Sequence, residues 1–465
     1  MKEDNTRLYA ALEEYSRTGA YPFHMPGHKR TSWWTDARLP YGIDITEITG
    51  FDDLHHPCGI IRGCMERAAA LYGSESSYIL VNGSTCGILA AVSSVVHRGD
   101  SVIAARNCHK AVYNACALSE LNVRYIYPDA DPVGVCKSIT PESVCAALSE
   151  CPSAKAVIVT SPTYEGVISD IKGIAAVCRS CGAALIVDAA HGAHLPFCTF
   201  GEIGDPVRGG ADIVIESLHK TLPALTQTAV AHINGGLVSR ERFEKYLGVF
   251  ETSSPSYVLL ASVGECLAFL ENRGSAFEEY EKRLGEFSER IGGLRSLRVL
   301  CHGGDGGHGF FSFDKGKLVI STARAGITGV ELARRLRGEY SLELEMSYPT
   351  YALAMTSVCD GEDAFVRLAD ALLEIDKTLA PSEPIPFPPQ LPRPKCVRMT
   401  NAELDALPDT ELTRSIAAKG RYISRRCIYA YPPGIPVVLP GEIIGAEEFD
   451  YIEALKRSGV RVEGV

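Results

Sequence analysis

Long apolar segments are absent from this sequence of 465 residues. No run approaches the ~18 consecutive apolar residues that a membrane-spanning helix needs, so we expect no membrane segment. The first residues, MKEDNTRLYAALEEY, are charged and amphipathic, and they lack the apolar stretch of a secretory signal. The sequence therefore predicts a cytoplasmic protein that does not bind membranes.

Positive charge is also scarce, with 46 Lys and Arg against 57 Asp and Glu and a net charge of -11. This balance argues against a nucleic-acid surface and favours cationic small molecules as partners. The sixteen cysteines, without a signal sequence, are typical of reduced thiols rather than a disulfide framework. The CxxC pair at Cys178 and Cys181 has no second pair at zinc spacing, so we interpret it as a helix end and expect no metal.

Short apolar runs alternate with helical stretches between about residues 75 and 235. Most of the runs are continuous rather than alternating, as in strands that are covered on both faces. This pattern predicts an α/β domain with a mostly parallel sheet. The predicted strands are Ser77–Val81, Ser101–Ala105, Val123–Tyr127, Ala156–Thr160, Ala184–Asp188 and Asp212–Glu216.

The sequence pattern changes beyond residue 240. A long periodic stretch there predicts helix, and mixed short strands and helices are predicted after it. Seven prolines between Pro381 and Pro394 predict a semi-rigid connector. The length allows two or three domains. We divide the chain into an N-terminal arm (1–55), a large α/β domain (56–296), a small α+β domain (297–380), a proline-rich linker (381–395) and a C-terminal segment (396–465).

Ligands bind beyond the carboxyl ends of the strands in an open parallel sheet, so the residues after each run are the candidates for chemistry. The first run is followed by NGSTCG, in which glycine permits a tight turn. Ser84 and Thr85 there offer hydroxyls at the start of a helix, whose free N–H groups form an anion site. A plain capped helix is the alternative, and we favour a phosphate.

Three other strand ends also carry reactive groups. His109 either caps a helix or places a flat ring over an aromatic ligand. Asp188 ends an apolar strand, so its carboxylate requires a cationic partner, such as a protonated ring nitrogen. Lys220 follows Ser217 and His219, and is either solvated or an amine of lowered pKa that attacks a carbonyl.

Pyridoxal phosphate requires all of these groups at once. Its phosphate needs hydroxyls and a helix N-terminus, its aldehyde needs a lysine, and its ring nitrogen needs an aspartate that keeps it protonated. Each signal is modest alone. Their order on successive strand ends makes them jointly specific.

The chain resembles the fold-type I pyridoxal-phosphate enzymes and, within them, the bacterial ornithine/lysine/arginine decarboxylases in a short form without an N-terminal receiver-like domain. The resemblance implies a mostly parallel seven-stranded sheet in an α/β domain, with an α+β C-terminal region. The matching motifs cover nearly the whole chain. They are FHMPGHKR, DDLHHPCG, YILVNGSTCGILA, RNCHKAVYNA, TSPTYEGVISDI, VDAAHGAHLPF, ESLHKTLPALTQTA, TSSPSYVLLAS and YPPGIPVVLPGE.

The resemblance also implies a role for each matching residue. Lys220 binds the cofactor covalently, Asp188 pairs with the ring nitrogen and His109 stacks on the ring. His191 lies beside the cofactor, and Glu442 is a candidate for the distal cationic group of the substrate. The phosphate is held by Ser84, Thr85, Ser217 and His219, and Cys86 is a further cofactor-binding residue. Homodimers or larger assemblies, with the active site at the subunit interface, are implied as well.

Two departures from the family pattern concern the substrate more than the cofactor. RGCMERAAALYG, which includes Arg62 to Glu66, replaces a Glu-Ala-Gln-like segment, and Glu165 stands where relatives commonly carry a second tyrosine. Arginine, lysine and ornithine differ only at the far end of the side chain. We favour arginine because the short form resembles biosynthetic arginine decarboxylases.

Three other functions compete with decarboxylation. An aminotransferase or lyase would share Lys220 and Asp188, but the C-terminal motif argues against it. A metal-dependent hydrolase could use Asp188, His191 and His194, or His24 and His28, although Gly192, Pro26 and Gly27 interrupt helical ligand spacing. A family member that has lost activity is disfavoured because the cofactor set is intact.

Overall fold

The computed structural model describes most of the chain. It leaves out residues 1–6, 19–21, 23–24, 27–28, 33–35, 37, 202, 304–307, 384–389, 398, 400, 409–411, 421 and 432–433. Within the described residues, no helix combines the length and the apolar character that crossing a bilayer requires.

The first part contains α1 (Leu8–Ser16), α2 (Ile60–Tyr72), β1 (Ser76–Leu80), α3 (Gly83–Val95), β2 (Ser101–Ala105), α4 (Lys110–Leu118), β3 (Asn122–Ile126), α5 (Pro141–Glu150), β4 (Ala154–Thr160), β5 (Val167–Ile168), α6 (Ile171–Ser180), β6 (Ala184–Asp188), β7 (Ile213–Glu216), α7 (Leu218–Thr221) and β8 (Ala229–Ile233). The helices α8 (Arg240–Phe250), α9 (Tyr257–Glu271) and α10 (Ala276–Arg290) follow.

The remainder contains β9 (Arg298–Val299), β10 (Ser312–Phe313), β11 (Lys317–Ser321), α11 (Gly329–Tyr340), β12 (Met346–Ser347), β13 (Tyr351–Met355) and α12 (Glu362–Lys377). The last segment contains α13 (Asn401–Asp405), α14 (Arg414–Ala417), β14 (Tyr422–Ile423), β15 (Ile428–Ala430), β16 (Pro436–Val438), β17 (Ile443–Ile444), α15 (Ala446–Arg457) and β18 (Val462–Glu463).

The central sheet has seven strands in the order β1-β8-β7-β6-β4-β2-β3. The strands from β7 to β3 in this order are parallel, and β8 is antiparallel to both of its neighbours. Every residue of β6, β7 and β8 is buried, because helices cover both faces of the sheet. The predicted mostly parallel α/β fold is confirmed. All six placed strands are present, and β8 is the strand that the pattern did not place.

The second half of the chain forms smaller sheets. An antiparallel sheet of order β12-β13-β11-β9 lies in the small domain, and the C-terminal segment contributes the pair β14-β17 and the sheet β16-β15-β18. Apolar side chains of α9 and α10 share one core cluster with the small-domain strands. The domain boundaries at 55/56, 296/297, 380/381 and 395/396 stay a prediction.

A short strand pair joins the two larger units. In it, β5 from the turn after β4 pairs antiparallel with β10, so that Ile168 lies opposite Ser312 and Val167 opposite Phe313. The backbone N–H of Asp314 extends this pair by donating to the carbonyl of Gly166 at 2.8 Å. The start of β11 is thereby brought to the carboxyl edge of the central sheet.

A buried arginine holds the C-terminal segment on the sheet. Arg106 follows β2 and donates to the carbonyls of Pro436 at 2.6 Å and Val437 at 3.2 Å. Its guanidinium also lies 3.0 Å from Glu442, and the two side chains are 1% and 2% exposed. A buried charge is tolerated only with a partner of this kind.

We expect Arg106→Met to lower the free energy of unfolding by about 3–5 kcal/mol, because it leaves the Glu442 carboxylate buried without its cation. Urea unfolding followed by circular dichroism measures the loss. The double variant Arg106→Met/Glu442→Leu should recover much of it. Arg98→Met is the control, since the Arg98–Glu120 pair is exposed and should contribute less than about 1 kcal/mol. Equal losses from Arg106→Met and Arg98→Met would contradict the expectation.

Candidate active site

The turn after β1 forms one wall of the site. Helix α3 begins at Gly83, whose φ of +76° suits glycine. Ser84 is half-buried and Thr85 exposed at this helix start. A Cβ on Gly87 would lie 2.6 Å from a side-chain carbon of Leu80. Glycine there lets the helix pack closely on the sheet, with its free N–H groups at the carboxyl edge.

The thiol of Cys86 forms hydrogen bonds within the protein. Its Sγ donates to the carbonyl of Gly83 at 3.1 Å and to a carboxylate oxygen of Glu251 at 3.2 Å. The same oxygen of Glu251 accepts the N–H groups of Val81 and Asn82. Burial raises the pKa of the Cys86 thiol, and Glu251 adds to this effect. Glu251 thus holds the turn by hydrogen bonds, a function that the sequence reasoning missed. A cofactor contact by Cys86 stays a prediction.

The residues after β7 form the second wall. Ser217 is fully buried, and its hydroxyl has no hydrogen-bond partner in the described part of the chain. His219 is half-buried, with Nδ1 at 2.9 Å from the carbonyl of Thr228. Burial lowers the pKa of the His219 imidazole. A buried hydroxyl without a partner is costly unless a ligand satisfies it, so Ser217 fits a phosphate oxygen.

Asp188 ends β6, 4% exposed and opposite Thr160 of β4 in the sheet register. One of its oxygens accepts the N–H of Ala190 at 3.2 Å. Its negative charge acts to raise the pKa of both Lys220 and His109. No described cationic side chain forms an ion pair with it. A buried carboxylate of this kind fits a protonated ring nitrogen.

His109 is the N-cap of α4, where its Nδ1 accepts the N–H of Ala111 at 3.2 Å. Burial lowers the pKa of its imidazole. The C-terminal segment lies against the ring, since a Cβ on Gly434 would be 3.3 Å from both Cδ2 and Nε2. His109 can therefore cap α4 and also place its ring over a ligand, so the two predicted roles do not exclude each other.

His191 lies at the centre of the site and contacts two lysines. Its Nε2 is 3.1 Å from Nζ of Lys220, and its Nδ1 is 3.0 Å from Nζ of Lys317. The ring of Tyr164 packs on it with 4.5 Å between centroids. Burial lowers the pKa of Lys220, whereas Asp188 and Glu345 oppose this shift. The Lys220 amine is thus an enclosed group next to an imidazole, as a lysine that attacks a carbonyl requires.

Lys317 was missed by the sequence reasoning. It is 1% exposed at the start of β11, in which every residue is buried. Burial lowers the pKa of its amine to about 8. A Cβ on Gly166 would lie 2.7 Å from Cγ of Lys317, so the SPTYEG turn closes directly over the lysine stem. A lysine beginning the buried strand KLVIS was the signal that could have revealed it.

The metal-site alternative does not match this geometry. His191 directs both ring nitrogens at lysine amines, and His194 directs Nε2 at Asp314, 3.2 Å away. No group of three or more candidate metal ligands occurs among the described residues. His24 and His28 lie outside the described residues.

Glu442 and the two places where the chain departs from the family pattern, Glu165 and Arg62 to Glu66, are not among the predicted cofactor residues. Glu165 is buried and accepts from the hydroxyl of Tyr351 at 2.9 Å. Arg62 and Glu66 form an exposed ion pair and line a surface groove that includes none of the predicted cofactor residues. Glu442 is occupied by Arg106 and by the N–H of Leu439 at 2.7 Å. This pairing favours a structural role for Glu442, and its contact with a substrate stays a prediction.

Family models match most of the chain. The model described as the Orn/Lys/Arg decarboxylase major domain matches residues 6–283, and the model for the C-terminal domain of the same family matches residues 396–464. The arginine decarboxylase of Bacillus subtilis (strain 168) is 32% identical over 100% of this chain and 96% of its own length. The constitutive lysine decarboxylase of Escherichia coli (strain K12) is 26% identical over 56% of this chain and 40% of its own length.

Solved structures share the fold. The crystal structure of the Francisella novicida lysine decarboxylase LdcF superposes with a TM-score of 0.78 at 20% identity, over 98% of this chain and 79% of that chain. The ureidoglycine-glyoxylate aminotransferase of Bacillus subtilis gives a TM-score of 0.52 at 17% identity, over 68% and 84%. These structures confirm the expected fold-type I architecture. The family match confirms pyridoxal phosphate as the cofactor.

We expect Asp188→Asn to retain the cofactor but to lower kcat by about 100-fold or more, the scale of one lost electrostatic contact at a reacting centre. The amide keeps the size of the side chain and an oxygen that accepts from Ala190, so the change isolates the negative charge. Steady-state assays and cofactor absorbance per chain measure the two effects. An unchanged kcat with full cofactor content would contradict the expectation.

Proposed function

This chain belongs to the Orn/Lys/Arg decarboxylase family, and we propose that the basic amino acid it decarboxylates is arginine. The observation that carries the proposal is the match to the Bacillus subtilis arginine decarboxylase, which extends over the whole chain. A second arginine decarboxylase, from Halalkalibacterium halodurans, is also 32% identical over the whole chain. The lysine decarboxylase of Pseudomonas aeruginosa matches only 57% of it.

We assign the cofactor contacts as follows. Lys220 holds pyridoxal phosphate covalently, Asp188 faces the ring nitrogen, and His109 lies over the ring with His191 beside it. The buried hydroxyl of Ser217, which has no partner among the described residues, and the start of α3 on the opposite wall support a phosphate site. The residues that hold the phosphate in this proposal are Ser84, Thr85, Ser217 and His219, and Cys86 is a further cofactor-binding residue.

Decarboxylation breaks the bond between the α-carbon and the carboxyl carbon, and a C–H bond replaces it. Bound pyridoxal phosphate supplies the sink for the electron pair that CO2 leaves behind. The carboxylate of Asp188 maintains the positive charge that makes the ring a sink. In this proposal Lys220, as its ammonium and in contact with His191, delivers the proton to the α-carbon.

The distal guanidinium of the substrate requires an anionic group near the entrance. Glu345 is exposed, and its carboxylate accepts from the hydroxyl of Tyr164, whose ring packs on His191. Its charge acts on both Lys220 and Lys317. A carboxylate with one side open to solvent and the other near the reactive amine suits a basic side chain. We therefore propose Glu345 as the group that binds the distal cation.

We further propose a homodimer, a cytoplasmic location and a role in polyamine synthesis. The homodimer is what the resemblance to the family implies. All sixteen cysteines are free, as expected in a reducing compartment. The amine that arginine yields on loss of CO2 is a precursor suited to polyamines. Light scattering measures the mass of the assembly, and a monomer would contradict the homodimer. Cell fractionation tests the cytoplasmic location. Polyamine levels in cells that lack the protein test its role in polyamine synthesis.

Release of CO2 from arginine, lysine and ornithine, measured side by side, tests the substrate. We expect kcat/KM for arginine to exceed the values for both others by at least about 10-fold, because a site built for a guanidinium leaves polar groups unpaired when a shorter amine binds. Borohydride reduction followed by peptide mass spectrometry should locate the cofactor on Lys220. A preference for lysine or ornithine would refute arginine, whereas a label elsewhere would refute the assignment of Lys220.

Glu345→Gln should raise KM for arginine by about 10- to 100-fold, the equivalent of the 1.5–3 kcal/mol of a hydrogen bond to a charged group. The change in kcat should be smaller, because the distal group is remote from the bond that breaks. Glu343→Gln is the matched control, since Glu343 is also exposed but pairs with Arg337. A KM equal to that of the control would exclude Glu345 from the substrate site.

A further inference from the structure

The C-terminal segment is attached to the residues that join β2 to α4. At one end of this stretch, the guanidinium of Arg106 donates to two backbone carbonyls of β16. At the other end, the backbone N–H of Lys110 donates to the carbonyl of Gly434 at 3.3 Å. The segment therefore holds both ends of the stretch that contains His109.

A side-chain contact strengthens this attachment. The ammonium of Lys110 donates to the hydroxyl of Tyr429 at 3.3 Å and lies 4.7 Å from the centre of the same ring. The centre of the Tyr431 ring lies 5.9 Å from the ammonium. A cation over an aromatic face is a favourable contact. The residue that follows His109 is therefore bound to β15 by its side chain as well as to Gly434 by its backbone.

The ring of His109 lies between the start of α4 and Gly434. Its Nδ1 accepts the N–H of Ala111 at 3.2 Å, and this bond holds one edge of the ring on the helix. The opposite edge consists of Cδ2 and Nε2, and a Cβ on Gly434 would lie 3.3 Å from each of these atoms. Non-bonded heavy atoms prefer a separation of about 3.5–4.0 Å. A methyl group at position 434 would therefore press on the ring.

The backbone of Gly434 is fixed on both sides. Its N–H donates to the carbonyl of Ala430 at 2.9 Å, and its carbonyl accepts from Lys110. Its φ is +81°, a conformation that glycine adopts without strain. Because these bonds hold the backbone of Gly434 in place, a larger side chain there would displace the ring of His109 rather than the segment.

We propose that Gly434 is a positioning residue, which leaves the ring of His109 the room that it needs to lie over the ring of pyridoxal phosphate. The inference rests on the position that the proposed function gives to His109, and not on arginine as the substrate. It adds a residue of the C-terminal segment to those that shape the cofactor site. Full affinity for the cofactor then requires that this segment is docked on the large domain.

Gly434→Ala tests the proposal through the affinity for the cofactor. We expect the dissociation constant of pyridoxal phosphate to rise by about 3- to 10-fold, the scale of one stacked aromatic pair. Titration of the cofactor-free protein, followed by cofactor absorbance, measures the constant. The visible circular dichroism of the bound cofactor should change as well, because this signal depends on how the cofactor ring is held.

Gly420→Ala is the matched control, in the same C-terminal segment. Gly420 also has a positive φ, of +58°, so alanine brings backbone strain there too. A Cβ on Gly420, however, would meet no described atom within 4 Å beyond its chain neighbours. An effect of Gly434→Ala no larger than that of Gly420→Ala would overturn the proposal.

His109→Asn shows whether Gly434 acts through the imidazole. Asparagine keeps the helix cap but is shorter than the ring. In this background, Gly434→Ala should change neither the dissociation constant nor the visible circular dichroism any further. Equal effects of Gly434→Ala with and without His109 would overturn the proposal.

Far-ultraviolet circular dichroism verifies that each variant is folded. If Gly434→Ala alone does not fold, the double variant Gly434→Ala/His109→Asn should, because removal of the ring leaves room for the methyl group. A double variant that also fails to fold would overturn the proposal. A dissociation constant left unchanged by His109→Asn alone would instead refute the stacking assignment in the proposed function, and the inference with it.

Discussion

The carboxyl edge of the parallel sheet is the constraint on which the site depends. Strands β4, β6 and β7 are hydrogen-bonded neighbours that run in one direction, so the chain leaves all three at the same edge. Thr160 thereby lies opposite Asp188, and Asp188 opposite Ile215. Because both faces of the sheet are covered, Asp188 and Ser217 at this edge are buried. The fold brings reactive groups together and also removes the water that would weaken them.

Some buried polar groups of the described residues pair with one another, whereas others have no partner. Arg106 and Glu442 satisfy each other, and His194 pairs with Asp314. Ser217 has no hydrogen-bond partner, and Asp188 has no described cation in ion-pair contact. Since an unsatisfied buried group costs about 1–3 kcal/mol, a fold retains such groups where a ligand completes them. Ser217 and Asp188 also lie at the carboxyl edge of the sheet, so they fit groups that the cofactor completes.

The sequence was sufficient to identify site residues that directly follow a predicted strand. Asp188, Ser217, His219 and Lys220 follow apolar runs whose bounds the structure reproduces within two residues, because a run buried on both faces has an unmistakable composition. It did not reach Glu251, Lys317 or Glu345. Each of these acts across the fold on a residue more than 90 positions away in the chain. No local pattern records such contacts, since they depend on how whole units pack.

Glu442 shows the opposite difficulty. Its motif, YPPGIPVVLPGE, was identified correctly, and the matching model for the C-terminal domain covers it. The partner of its carboxylate is Arg106, which is 336 positions earlier. A motif specifies which residue is present, whereas the role of a carboxylate depends on the charge that faces it. That charge became known only when the C-terminal segment was placed on the sheet.

The reactive amine finally depends on the docking of the small domain. The strand pair of β5 and β10 carries Gly166 on one side and leads into Asp314 and Lys317 on the other. Glu345 precedes β12 in the same small-domain sheet. The large domain alone would therefore keep Lys220, Asp188 and His191 at the sheet edge, but would lack Lys317, which contacts His191, and Glu345, whose charge acts on Lys220. The proton affinity of Lys220 is thus a property of two units packed together, and the short strand pair links them at this point.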